Sequence, residues 1–216
     1  MIVGERKPFD EIKESIKGYK NILILGCGTC VSVSMAGGEK EVEILASQLN
    51  MSNKLEGTAP GIAQETIQRQ CDREYIEPII EMAKEKDAVV SMACGAGVQF
   101  LAELLESVPV IPAVNTRFIG VTEAEGAWAE RCRACGDCKL ASYGGICPVT
   151  ICAKGLLNGP CGGASLGKCE AGNERDCAWE LIYNRLKQQG RLDSLQQTSN
   201  FYDNQLQAHP ARIIKE

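Results

Sequence analysis

Four segments of the first 125 residues have the composition and length of β-strands. Two of them, 21–30 (NILILGCGTC) and 87–94 (DAVVSMAC), are almost continuously apolar and end in glycine or cysteine, which is typical of buried parallel strands. The segment 108–115 (VPVIPAVN) is a third strand of this type. The segment 62–70 (IAQETIQRQ) alternates imperfectly and is more polar, so we predict a strand at the edge of the sheet there.

Helical periodicity separates these strands. In the intervening segments apolar residues recur every three or four positions, so that one face of each helix is apolar. Val42, Leu45 and Leu49 form such a face in one segment, and Ile76, Ile79 and Ile80 form it in another. The predicted helices cover residues 8–17, 39–49, 76–86 and 98–106.

The alternation of strands and helices predicts an α/β fold with a doubly wound, mostly parallel sheet over residues 1–125 and right-handed crossovers. Composition then changes sharply, because cysteine and glycine dominate the next fifty residues. We therefore predict a small cysteine-rich, metal-organised domain over 126–190, which closes with the amphipathic helix AWELIYNRLKQQG. An extended polar tail is expected over 191–216.

Charge and hydropathy exclude several classes of partner. The 216-residue chain has a formal net charge of −5, which is the opposite of the basic surface that nucleic acids require. Its first residues lack the apolar region of a secretory signal, and no stretch is apolar for long enough to span a bilayer. A soluble cytoplasmic protein that binds neither nucleic acid nor membrane is expected.

Cysteine is the exceptional component. The chain has twelve cysteines and a single histidine, His209. In a reducing compartment such a count indicates metal thiolates rather than disulfides. Because histidine is nearly absent, each site should be all thiolate, which leaves iron–sulfur clusters and tetra-thiolate zinc as the two alternatives.

One tetra-cysteine site is predicted at the sheet. Cys27 and Cys30 follow the first apolar strand, Cys71 follows the edge strand, and Cys94 ends the strand at 87–94. The carboxyl ends of parallel strands lie at one edge of a sheet, where ligands bind. The four thiols should therefore converge, unless Cys71 and Cys94 are small buried residues of the core.

The glycines of GCGTC also raise the possibility of dinucleotide binding, which the sequence disfavours. Val31 occupies the place of the third glycine in the G-x-G-x-x-G pattern, and no acidic residue ends an evident second strand at the expected distance. We expect these glycines to give the backbone room beside a cluster.

Eight further cysteines lie between residues 132 and 177. The first three have the C-x2-C-x2-C spacing with which thiolates wrap one [4Fe–4S] cube, and a later cysteine precedes a proline, as the remote ligand of bacterial ferredoxins does. Eight ligands suffice for two clusters, or for one cluster and one structural zinc. The chain as a whole should hold two or three [4Fe–4S] clusters, with one zinc as the alternative at the third site. The candidate ligands are Cys132, Cys135, Cys138, Cys147, Cys152, Cys161, Cys169 and Cys177.

Seven motifs give the chain a family resemblance. It resembles the small cysteine-rich subunit of two-subunit methylenetetrahydrofolate reductases of anaerobic bacteria, which is related to a C-terminal domain once described as zinc-binding. The motifs are LGCGTC at 25–30, AGGEKEV at 36–42, RQCD at 69–72, ACGAGVQ at 93–99, ERCRACGDC at 130–138, GGICP at 144–148 and LLNGPCGGASLGKCE at 156–170.

The resemblance implies a partner and a role. The partner is a flavin-containing methylenetetrahydrofolate reductase subunit with a TIM-barrel fold, to which this chain would bring electrons from a donor such as ferredoxin or a nicotinamide oxidoreductase. A flavin can join one-electron cluster chemistry to hydride transfer, so this division of labour is chemically sound. The sequence indicates no catalytic residue. Two alternatives stay open: a zinc-binding scaffold that docks the reductase, and an electron feeder of a corrinoid methyltransferase.

Overall fold

The chain forms two compact units in the computed structural model, which describes residues 1–58, 60–199, 203–207 and 209–215. The first unit comprises Met1–Trp128 and the second comprises Ala129–Glu216. Among the described residues, no helix is both long and apolar enough to cross a membrane. Each unit has its own buried apolar core.

A four-stranded parallel sheet organises the first unit. The elements of this unit, in chain order, are β1 (Ile2–Arg6), α1 (Phe9–Ser15), β2 (Asn21–Cys27), α2 (Cys30–Val33), α3 (Glu39–Leu55), β3 (Gly61–Ile67), α4 (Arg73–Ile76), α5 (Ile80–Lys84), β4 (Ala88–Ser91), α6 (Gly95–Leu105), β5 (Val110–Pro112), β6 (Val114–Ala124) and β7 (Ala127–Cys132), whose last four residues belong to the second unit. The sheet has the order β3-β2-β4-β5. The predicted α/β class, its parallel sheet and the edge position of the polar strand are therefore confirmed.

Helices cover both faces of this sheet. Consecutive residues of β2 point to opposite sides of the sheet, so the two faces of this strand pack against different helices. Ile22 and Ile24 belong to one core with Leu45 of α3. Leu23 and Leu25 belong to a second core with Leu101 of α6. Burial on both sides explains why β2 is continuously apolar in sequence.

The connections place a crevice between β2 and β4. The chain leaves β2 through α3, on the face where Ile22 and Ile24 point, and leaves β4 through α6 on the other face. Neighbouring parallel strands whose connections diverge in this way leave a gap beyond their carboxyl ends, where open α/β sheets bind ligands.

The predicted helices differ from the observed ones in two places. The helix expected over 76–86 is broken into α4, a 3₁₀ turn at Glu77–Ile79 and α5, because Pro78 has no backbone N–H with which to form the hydrogen bond of a continuous α-helix. The helix expected over 98–106 begins earlier, at Gly95, since glycines weaken the local signal without preventing a packed helix.

An antiparallel sheet of order β1-β6-β7 was not predicted from the sequence. The strand β1 pairs antiparallel with β6, so that Ile2 lies opposite Ile119 and Arg6 opposite Val114. Most of β6 is exposed or half-buried, which removes the apolar pattern by which a strand is recognised.

The second unit is built around a small aromatic core. Its elements are α7 (Pro148–Ile151), β8 (Lys168–Cys169), β9 (Gly172–Asp176) and α8 (Ala178–Gln188), with 3₁₀ turns at Leu140–Tyr143, Leu192–Gln196 and Asn204–Gln207. The core contains Tyr143, Trp179, Ile182 and Leu186. The tail was expected to be extended, but Leu192–Gln196 is a 3₁₀ helix whose Leu192 and Leu195 pack against this core. Two apolar side chains three residues apart supply the burial that an extended tail would lack.

Candidate metal centres

Four cysteines lie at the carboxyl edge of the parallel sheet. Cys27 is the last residue of β2, and Cys30 is the first residue of α2. Cys71 follows β3, and Cys94 precedes the first residue of α6 beyond β4. They lie beyond the carboxyl ends of β2, of β4 and of β3, which is the strand on the far side of β2.

The thiol of Cys71 lies within electrostatic reach of the other three. The pKa of Cys71 is raised, foremost by partial burial of its thiol and then by the neighbouring thiols of Cys27 and Cys94, with a smaller contribution from Cys30. All four cysteines are free. The four residues therefore lie at one edge of the sheet, and a common metal site for their thiols stays a prediction.

Close backbone contacts fix the loop that carries Cys27. The Cys27 amide donates to the Gly37 carbonyl over 2.8 Å, and the Gly28 amide donates to the Ile67 carbonyl at the end of β3 over 2.9 Å. A Cβ at Gly37 would overlap the carbonyl oxygen of Met92, at the end of β4. Glycine is therefore required at position 37, whereas the expectation that Gly26 and Gly28 give the backbone room beside a cluster stays a prediction.

The helix α6 adds a favourable field to this edge. Cys94 is its N-cap residue, so the first turn points its amides toward the carboxyl ends of the strands. The N-terminus of a helix has a partial positive charge, which favours a negatively charged group nearby, such as a thiolate-ligated cluster.

A second set of four cysteines lines one cavity in the second unit. Cys132, Cys135, Cys138 and Cys147 face a cavity of about 300 Å³, together with the apolar side chains of Leu140, Val149 and Leu157. Cys147, which precedes Pro148, therefore lines the same cavity as the C-x2-C-x2-C segment, as a fourth ligand of one cluster would.

Left-handed turns let the segment 132–138 curl around this cavity. Ala134 has φ of 51° and Gly136 has φ of 83°. The Ala134 amide donates to the Cys132 sulfur over 3.3 Å. An amide bond to sulfur stabilises the thiolate form, and such bonds also tune the potential of a bound cluster.

The remaining four cysteines are drawn together less closely. Cys177 is buried and Cys152 packs against the same aromatic core. The Cys161 thiol donates to the Glu170 carboxylate over 3.4 Å, and Glu170 also pairs with Lys154. This network joins the segments that carry Cys152, Cys161 and Cys169.

Electrostatics support the same network. The pKa of Glu170 is lowered, first by its hydrogen bond from Lys154 and then by the one from Cys161. The structure brings the chain segments of this third set together, whereas a common site for its four thiols stays a prediction.

The spacing of the thiols differs from that of a single-ion site. Within the part of the chain that the structure describes, no three or more cysteine, histidine, aspartate or glutamate side chains converge tightly enough to hold one ion. A cube takes one thiolate at each of four corners, so its ligands need to surround a volume and not to meet at a point. A cluster at either of the first two sets therefore stays a prediction.

Gln70 and Ser91 are polar residues that the sequence analysis did not identify. Both side chains are fully buried beside the carboxyl ends of β2 and β4.

Comparison with known proteins concerns mainly the second unit. The two units define an α/β protein with an appended cysteine-rich segment. Residues 111–205 match the family described as "Methylene-tetrahydrofolate reductase C terminal". This match supports a relation of that part of the chain to methylenetetrahydrofolate reductase. It covers less than half of the chain and leaves Cys27, Cys30, Cys71 and Cys94 outside. No curated protein and no solved structure matches the chain.

Proposed function

We propose that the chain is an iron–sulfur electron-transfer subunit, which delivers electrons to a flavin-containing methylenetetrahydrofolate reductase subunit for reduction of methylenetetrahydrofolate to methyltetrahydrofolate. The observation that carries the proposal is the cavity lined by Cys132, Cys135, Cys138 and Cys147. The family match over 111–205 supports the choice of reductase. Ferredoxin or a nicotinamide oxidoreductase in the cytoplasm would be the external donor.

The residues around this cavity have distinct tasks. A [4Fe–4S] cluster supplies one-electron oxidation and reduction when it is bound, and four thiolates hold it. Leu140, Val149 and Leu157 make part of the cavity wall apolar. The nearby Arg131 and Lys139 add positive charge, which would raise the potential of a cluster.

A larger cavity beside the first gives a partner access to it. It has a volume of about 770 Å³, and Lys139, Tyr143 and Leu157 line both cavities. A redox group of the partner bound in the larger cavity would face a cluster held by the four cysteines across these shared side chains. This shared wall supports electron exchange through this face of the second unit.

The four cysteines of the sheet would hold another [4Fe–4S] cluster. Their support is the raised pKa of Cys71, whose causes include all three other thiols, and their placement at the crevice between β2 and β4. Cys27 belongs to one apolar core of the first unit and Cys94 packs against it, but both cores consist mainly of aliphatic side chains, so a cluster there would serve redox chemistry more than folding.

A structural zinc is the alternative for the third set. Cys177 and Cys152 belong to the aromatic core of the second unit, so a metal bound there would join the core to the β8–β9 hairpin. Structural zinc sites contribute folding energy in this way. This observation favours a zinc at Cys152, Cys161, Cys169 and Cys177, in a subunit that also docks the reductase.

The test is an anaerobic preparation in which iron, acid-labile sulfide and zinc are counted per chain. The proposal expects at least two [4Fe–4S] clusters, hence about eight irons and about eight sulfides. The reduced chain should then transfer electrons to the flavin subunit. Zinc in every site without sulfide would leave only the scaffold function.

A further inference from the structure

Gln70 and Ser91 form a buried polar pair at the edge of the sheet where four cysteines meet. The Ser91 hydroxyl donates to the Gln70 side-chain oxygen over 2.6 Å. The Gln70 side-chain nitrogen donates to the carbonyls of Leu25, over 2.9 Å, and Gly26, over 3.1 Å. Both residues are inaccessible to solvent. A buried polar group is costly unless it is bonded, and this pair is.

These bonds connect the three strand ends that lead to the cysteines. Leu25 and Gly26 directly precede Cys27 at the end of β2, and Gln70 directly precedes Cys71 beyond β3. Ser91 is the last residue of β4, and its hydroxyl oxygen also accepts from the Ala93 amide over 3.3 Å, next to Cys94. One network thus reaches the chain neighbour of three candidate ligands.

Packing prevents the glutamine from moving. Gly97, in the first turn of α6, lies so close that a Cβ there would be 2.9 Å from the Cβ of Gln70 and 2.9 Å from the Cβ of Ala93. The helix that begins after Cys94 therefore rests directly on Gln70. A shift of the Gln70 side chain would displace both α6 and the end of β2.

We propose that Gln70, supported by Ser91, is the residue that positions Cys27, Cys71 and Cys94 for a shared cluster; the inference rests on the proposed cluster at the sheet. The sequence separates these ligands by more than twenty residues each, so their spacing is set by tertiary contacts alone. Residues that orient ligands without touching the metal govern its retention and its potential. Gln70 occupies that place for three ligands at once.

The opposite edge of the same sheet offers a matched control. The Asp87 carboxylate accepts from the Lys20 amide over 2.8 Å and from the Asn21 amide over 2.9 Å, which joins the amino ends of β2 and β4. Removing Asp87 therefore weakens a link between the same strands, far along them from the cysteines. If Gln70 only held the two strands together, Asp87→Ala would affect the cluster in the same way as Gln70→Leu.

The experiment compares Gln70→Leu, Ser91→Ala and Asp87→Ala in the anaerobically prepared full chain. We expect Gln70→Leu to lose about four irons per chain, and Ser91→Ala to keep them but to release iron to a chelator faster and with an altered EPR spectrum. Asp87→Ala should match the unaltered protein in iron count, release rate and spectrum. If Gln70→Leu loses its helical circular dichroism, Ser91→Ala alone decides by the same measurements.

Cys94→Ala, prepared in parallel, distinguishes failure of the proposed cluster at the sheet from failure of the proposed positioning role of Gln70. Full iron in Cys94→Ala would remove the proposed cluster at the sheet itself. Loss of about four irons in Cys94→Ala, with Gln70→Leu and Ser91→Ala both indistinguishable from Asp87→Ala, would overturn the positioning role and leave the cluster in place.

Discussion

Tyr143 and Trp179 meet edge to face in the second unit, with ring centroids 5.7 Å apart and planes at 82°. Tyr143 is buried in the aromatic core and also lines the cavity of Cys132, Cys135, Cys138 and Cys147. One ring therefore serves both the stability of the unit and the wall of the candidate cluster site.

Truncation of this ring should affect stability and metal retention together. We expect Tyr143→Ala to lower the free energy of unfolding of the second unit by about 3–5 kcal/mol, as loss of a buried aromatic side chain does. Tyr143→Phe removes the hydroxyl, which bonds to the Leu157 carbonyl and to the Ser199 hydroxyl, and should cost about 1–2 kcal/mol. Urea unfolding followed by Trp fluorescence measures both, and Tyr183→Phe, at a half-exposed position, is the control. Equal stabilities of Tyr143→Ala and Tyr143→Phe would contradict the role of the ring.

Shared ligation of one cluster predicts non-additive losses of iron. Cys135→Ala and Cys147→Ala should each remove about four irons per chain, and the double variant should remove about four as well, because both ligands belong to one cube. The double variant of Cys94→Ala and Cys147→Ala should instead remove about eight irons per chain, since these residues belong to different sets. Iron and sulfide analysis of the five variants decides the partition. A loss of about eight irons in the Cys135/Cys147 double variant would assign the two residues to separate clusters.

Loss of the cluster at the sheet should spare the fold. Cys94→Ala removes a half-buried side chain from a unit with two large apolar cores, so its helical circular dichroism and its binding to the flavin subunit should persist. Donor-driven reduction of methylenetetrahydrofolate should fall if this cluster lies on the electron path. Oxidation of chemically reduced flavin by methylenetetrahydrofolate within the partner should continue, and its failure would point to a damaged complex.

The thiol of Cys71 should titrate late in the metal-free protein. Its folded-state pKa is raised above the ordinary value of a thiol, by burial first and by the thiols of Cys27 and Cys94 next. Its contribution to stability is therefore fully present below the ordinary pKa of a thiol and is lost as the pH rises from there through the raised folded-state pKa, because the unfolded chain deprotonates first.

Alkylation followed by mass spectrometry can measure this pKa residue by residue. The rate at Cys71 should reach half its maximum at a higher pH than in a denatured control. Cys94→Ala removes one neighbouring thiol, so the midpoint should fall part of the way back. A midpoint for Cys71 that coincides with that of the denatured chain would show that its thiol is not held near the others.

Sequence patterns predicted the parallel sheet because burial on both faces leaves an unmistakable apolar run, as in β2. They did not predict β6, whose residues are mostly half-buried or exposed and whose pairing with β1 joins segments more than a hundred residues apart. Local periodicity contains no information on such a long-range partner.

The candidate sites likewise differ in how far the sequence could predict them. The spacing of Cys132, Cys135 and Cys138 is local, and it indicated the cavity that the structure contains. The buried pair of Gln70 and Ser91 could not be predicted, because the two residues are brought together only by the adjacency of strand ends. For Cys152, Cys161, Cys169 and Cys177 the order along the chain fixes no geometry, and their partition depends on tertiary contacts.

The position of β2 between β3 and β4 has a consequence for the speed of electron exchange. Hydrogen bonds hold this strand on both sides and helices cover both of its faces, so Cys27 extends from the most constrained backbone of the unit. A ligand on such a strand moves little when the charge of its metal changes. Small nuclear displacement means a low reorganisation energy, whereas residues 133–139 form neither helix nor strand and lack such a framework of backbone hydrogen bonds. If both proposed clusters are present, we therefore expect the one at the sheet to gain and lose an electron faster.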